Sequence, residues 1–119
     1  MGMDKSGNFT FQAVDQKITG WSIRSGFPNT NILNDSLSVQ ANGIQVVVKA
    51  AVAISGGYFP TFKIMHNGTQ IATRDSPGAF ADTTITLTSS SLLYMQVSNE
   101  FSQITINSAG TYLYFEKVI

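Results

Sequence analysis

The sequence predicts an all-β fold, a single-domain antiparallel β-sandwich of about eight strands, and three observations lead there. Apolar and polar residues alternate with period two along nearly the whole chain of 119 residues, the spacing that sends successive side chains to opposite faces of a strand. Turn formers interrupt these runs at intervals of about 8 to 12 residues, the rhythm of a sandwich or barrel. No window carries a convincing helical period, and Ser, Thr, Asn and Gln make up about a third of the chain, side chains that compete with helical backbone bonds. Between the two common sandwich topologies, a jelly-roll is favoured over an immunoglobulin-like one, because the Cys pair that marks antibody-type domains is missing.

Taken in order, residues 1–15 read as an N-terminal arm or first strand, with Phe9, Phe11 and Ala13 alternating, and residues 16–119 as the sandwich domain. Trp21 and Ile23 mark a short strand. Residues 25–31 are dense in Gly, Pro, Asn, Ser and Thr and read as a loop. Leu37 and Val39 give another strand. The clearest run follows the Asn42-Gly43 turn. Over residues 44–54 every even position is apolar, whereas the odd face of Gln45, Val47, Lys49, Ala51 and Ala53 is small and half polar. Such a run would span about 36 Å, long enough to predict a bend or bulge within it.

After the turn at Ser55, Gly56 and Gly57, Phe62 and Ile64 alternate with Lys63. Asn67-Gly68 is a strong hairpin signal, since both residues tolerate positive φ, and residues 70–73 form the return strand. A turn at residues 75–78 leads to the alternation of residues 84–88, with threonines toward solvent. Leu93, Met95 and Val97 share one face, as do Ile104 and Ile106. Ser108, Ala109 and Gly110 turn the chain into a last strand over residues 111–118, where Leu113 and Phe115 face the core.

Composition narrows function. A chain of 12.9 kDa makes one domain, and with no Cys it has neither disulfides nor thiolate metal sites. Seven basic and seven acidic residues cancel, leaving no electrostatic footprint for nucleic acid. No apolar run approaches the roughly 20 residues of a membrane helix. Residues 1–5 lack an apolar signal-peptide core, so synthesis in the cytoplasm is expected. Charged residues are only 12% of the chain, against about 25% in an average domain. That scarcity points to a surface partly covered by partners.

Catalytic chemistry finds little support. The single His66 lies beside a turn, and no Ser sits in a Gly-x-Ser-x-Gly elbow. The carboxylates of Asp15, Asp35, Asp75, Asp82, Glu100 and Glu116 are scattered, with neither a facing pair nor calcium-loop spacing to join them. One His without thiols does not make a zinc site, and the glycines mark turns with no helix behind them to hold phosphate. A non-enzyme with no cofactor and no metal is expected. Asn-x-Ser/Thr triplets at Asn8, Asn34 and Asn67 follow simply from a composition rich in those residues.

The aromatics are the candidate contact residues: Phe27, Tyr58 and Phe59 in loops, and Tyr112 and Tyr114 on the last strand, opposite Leu113 and Phe115. Loop aromatics either anchor a partner or sugar ring, or plug the open ends of a sandwich. Tyrosine suits a half-wet contact. The face bearing Tyr112 and Tyr114 is expected to be covered by an N-terminal segment or, in preference, by another subunit.

The succession Gly20-Trp21, then residues 27–32 (Phe-Pro-Asn-Thr-Asn-Ile), then Leu37-Ser38-Val39, the long Val/Ala strand and His66-Asn67-Gly68-Thr69 resembles small β-sandwich virion proteins, minor tail or capsid-associated, of tailed bacteriophages infecting actinobacteria. The likeness runs over about residues 16 to 119, and residues 110–115 are more distantly similar to the closing strand of trimeric jelly-rolls. The resemblance implies a structural protein of the virion, with capsid or tail proteins as partners, assembly as a homo-oligomer such as a trimer, and no catalytic residue. A carbohydrate-binding β-sandwich module is the alternative, with a glycan as partner.

Overall fold

The computed structural model describes residues 1–11, 15–55, 60–88, 90–98 and 104–118. It is all-β, and every strand pairing is antiparallel. The strands are β1 (Gly2–Lys5), β2 (Phe9–Phe11), β3 (Gln16–Lys17), β4 (Trp21–Ile23), β5 (Ile32–Leu33), β6 (Ser36–Val39) and β7 (Gln45–Val52). There follow β8 (Ile54–Ser55), β9 (Thr61–His66), β10 (Thr69–Arg74), β11 (Gly78–Thr86), β12 (Ser91–Ser98), β13 (Ile104–Ile106) and β14 (Tyr112–Lys117). The first sheet runs β11-β7-β14-β1-β4 and the second β10-β9-β12-β6-β5, with β3 on β12; β2-β13-β8 form a small third sheet. Among the described residues no helix is long and apolar enough to cross a membrane.

The two large sheets share one core. From the first come Met3, Val46, Val48, Ala50, Val52, Leu113 and Phe115; from the second, Leu37, Phe62, Ile64, Leu93, Met95 and Val97. The even positions of β7 are all buried, as their alternation requires. The expected break in the long run falls at Ala53, where the chain leaves the first sheet and re-enters as β8 of the third. Asn67 and Gly68 both take positive φ, 51° and 84°, the geometry of a tight hairpin turn between β9 and β10.

Fourteen strands stand among the described residues where about eight are expected. Most of the excess comes from two- and three-residue pieces such as β3, β5 and β8, too short to show a period. The polarity of β1 conceals it in the sequence. In it Met3 is buried on the inner face, while Lys5, only 5% exposed, folds its ammonium onto the backbone. Its Nζ donates to the carbonyl oxygens of Gly20 at 2.8 Å and of Ser6 and Gly7 at 3.0 Å. Burial lowers the Lys5 pKa from the ordinary lysine value, and the charge of Asp35 pulls against that shift. The N-terminal segment lies inside its own sheet, between β14 and β4.

The two large sheets approach each other at both margins. At one, the edge strands β10 and β11 lie together, tied by the Thr83 hydroxyl on the carbonyl of Ile71. At the other, β4 lies near β5, and here Ile23 and Leu33 are 54% and 51% exposed. Ile23, which alternates with Trp21, is thus left exposed on a strand at the edge of its sheet.

Candidate functional site

Two cross-strand rows on the outer face of the first sheet meet at the last strand. In one, Ala79 of β11 pairs with Ala51 of β7, which pairs with Tyr112 of β14, which pairs with Asp4 of β1. In the next, Lys49 pairs with Tyr114, and Tyr114 with Gly2. Period two then dictates that Tyr112 and Tyr114 stand side by side on the outside, with Leu113 and Phe115 inside. Their ring centroids are 5.6 Å apart.

One flank of this tyrosine pair is closed by the chain itself. Beyond β4 the chain turns twice, through Phe27 N–H on the Arg24 carbonyl and Thr30 N–H on the Phe27 carbonyl. The Arg24 guanidinium lies 4.2 Å from the Tyr112 ring centroid and 5.3 Å from that of Tyr114, and bonds the Asp4 carboxylate. Phe27 tilts against Tyr114, centroids 5.4 Å apart. The Thr30 hydroxyl fastens this loop to β1: it accepts from Gly2 N–H at 2.9 Å and donates to the Phe27 carbonyl at 2.7 Å. The chain's own loop thus provides, on this flank only, the cover expected from another subunit.

Gly2 makes that cover possible. A Cβ there would sit 2.9 Å from Tyr114 Cβ and 3.0 Å from the Phe27 ring. Gly2→Ala is expected to push Phe27 off the sheet at a cost of about 1–3 kcal/mol. Thermal unfolding together with loss of the Phe27–Tyr114 ring NOEs checks this.

The other flank is open. There the sheet dips into a groove of about 440 Å³ whose lining includes Tyr112, Tyr114, Ala79, Phe80, Lys49 and Asp82. Between Phe80 and Thr83 β11 carries a register shift, a bulge of the kind that re-aims side chains. It leaves Asp82 84% exposed, with its carboxylate 3.9 Å from Lys49 Nζ.

His66, which the sequence gives no partner, does meet a serine: its Nε2 lies 2.9 Å from Ser91 Oγ. The pair is structural. Ser91 is 1% exposed, its Oγ also accepts from Thr88 N–H at 2.9 Å, and the Thr88 hydroxyl lies 3.1 Å away. A nucleophile so enclosed has no line of approach to a substrate. Desolvation lowers the His66 pKa below its ordinary 6.5, so the unfolded chain binds this proton more readily than the folded one. The associated stability is complete above pH 6.5 and falls as pH drops through 6.5 toward the lowered folded value. Urea midpoints measured from about pH 7.5 to about pH 5 should decline, and His66→Gln should remove that part of the slope.

The other described carboxylates are mostly engaged locally. Asp15 accepts from Lys63, Asp35 from the Gly20 amide and Asp75 from Thr61. Among the described residues no three metal-ligating side chains converge. Tyr58 and Phe59, two of the candidate contact residues, and Glu100 lie outside the described residues. Of the candidate contact residues the structure brings Phe27, Tyr112 and Tyr114 together; that Gly2, Arg24, Lys49 and Asp82 are their neighbours has no signal in the sequence, because only strand register brings these together. Comparison with protein-family models, with curated proteins and with solved structures finds no match for this chain.

Proposed function

We propose that this chain is a structural virion protein of a tailed bacteriophage, a capsid-decoration or minor tail component that works by protein–protein contact. The observation that carries the reading is the β4/β5 margin, where Ile23 and Leu33 are each more than half exposed on neighbouring edge strands. Edge strands offer unpaired backbone groups, and proteins that avoid association place charge there. This margin instead presents two large aliphatic side chains. The sparse charge of the chain as a whole, 12% of residues, and its resemblance to small virion sandwiches support the same reading. The partner surface is a shell or tail protein, or further copies of the chain.

Particles purified from the virus-producing culture whose genome encodes the chain provide the test. The protein should be present at a fixed copy number. A double variant, Ile23→Asp with Leu33→Asp, should fold with an unchanged melting temperature yet be lost from the particles. Absence of the wild-type chain from purified virions, or normal incorporation of the double variant, sinks the proposal.

A further inference from the structure

We infer that the open flank of the tyrosine pair is a binding site for a neutral pyranose unit of a glycan. Tyr112 and Tyr114 line it together with Ala79, a small residue on the same cross-strand row as Tyr112. A large side chain in place of Ala79 would fill the space beside the rings. The volume of about 440 Å³ falls among small-molecule sites, which run from about 300 to 1,000 Å³. The tyrosines are already positioned from behind by Arg24 and Phe27, so a ligand need not order them.

The polar groups define the ligand class. Lys49 and Asp82 stand at one side of the groove with opposite charges that cancel, so the groove selects neither an anion nor a cation. Their separation of 3.9 Å is loose, and at 45% and 84% exposure both keep free hydrogen-bonding capacity. The ammonium only donates and the carboxylate only accepts. A partner that satisfies both must donate and accept over a short span, as vicinal hydroxyls do. The tyrosine wall asks for an apolar face on the same small body. A pyranose ring has both, C–H groups on its face and hydroxyls around its edge.

This site is distinct from the β4/β5 margin and stands or falls apart from it. The test is a ¹⁵N NMR titration of the full chain with cellotriose, maltotriose and chitotriose in the millimolar range. At least one trisaccharide should shift amides of Lys49, Ala79, Tyr112 and Tyr114, leaving the β9–β10 hairpin unmoved. Tyr112→Ala should abolish those shifts, while Tyr112→Phe should retain them. Asp82→Ala, at an exposed position where folding is not at stake, should weaken binding about tenfold. The inference is overturned if none of the three sugars shifts these amides, if Asp82→Ala binds as wild type, or if a sialylated trisaccharide binds more tightly than the neutral ones.

Discussion

Replacing Leu113 by alanine will remove about 2–5 kcal/mol of folding stability, the range for truncating a fully buried leucine. The site has little freedom to collapse. Leu113 is completely buried on β14, a strand paired on one side with β7 and on the other with β1, so its row neighbours Ala50 and Met3 are held in place by two ladders. A cavity opened between them stays open, and the penalty adds the dispersion attraction missing from its walls to the transfer energy of the deleted atoms. Against a total stability of about 5–15 kcal/mol for an ordinary domain, this approaches loss of the native state. Urea unfolding measures it. Leu113→Met keeps the volume and should cost less than about 1.5 kcal/mol. Because Leu113 lies between Tyr112 and Tyr114, the alanine variant should also loosen the tyrosine row, and sugar-dependent amide shifts should weaken with it.

The second large effect is expected at Lys5. Lys5→Met preserves the packing of the aliphatic stem but leaves the carbonyls of Ser6, Gly7 and Gly20 without their common donor. The Gly20 carbonyl keeps the Ser6 N–H at 2.8 Å, and Ser6 and Gly7 are exposed, so the cost is that of three bonds to a charged donor rather than of stranded acceptors. A loss of about 2–3 kcal/mol, or a fall of roughly 10 °C in Tm, is the expected result. The lowered pKa of Lys5 does not contradict this. It records that carbonyl dipoles replace water incompletely around a buried ammonium, whereas the variant removes the ammonium and with it the bonds that tie β1 to Gly20 and to the turn after it. Gly20 takes a φ of 82°, and a Cβ there would meet Lys5 Nζ at 2.9 Å. Gly20→Ala should therefore destabilise at the same place and combine less than additively with Lys5→Met.

Periodicity carried the fold class and the core. Val46, Val48, Ala50 and Val52, then Leu93, Met95 and Val97, then Leu113 and Phe115, all face inward as alternation demands, because a strand has only two sides. It failed where a residue's surroundings come from another element. Ile23 alternates like a core residue but stands exposed on the edge strand β4. Lys5 is buried although its charge argues against it, since the carbonyls that receive it come from residues adjacent to β1 and from Gly20 near β4. The candidate site was half legible. Tyr112 and Tyr114 had to face away from Leu113 and Phe115, so their position outside followed from the sequence. That Arg24 and Phe27 close one flank while Lys49 and Asp82 border the other depends on which strands are neighbours and in what register. No local pattern encodes that β14 lies between β7 and β1.

That placement of β14 also shapes the route to the native state. Gly2 and Tyr114 are cross-strand partners although more than a hundred residues separate them. Bringing such distant segments together costs about 4 kcal/mol of chain entropy before any ladder bond repays it. Until β14 has been synthesised, β1 has only β4 to pair with and the middle of the first sheet is missing. Folding should accordingly be slow, in the milliseconds-to-seconds regime of non-local β topologies. The join between β1 and β14 is then a late closure, with Lys5 and Leu113 on either side of the seam.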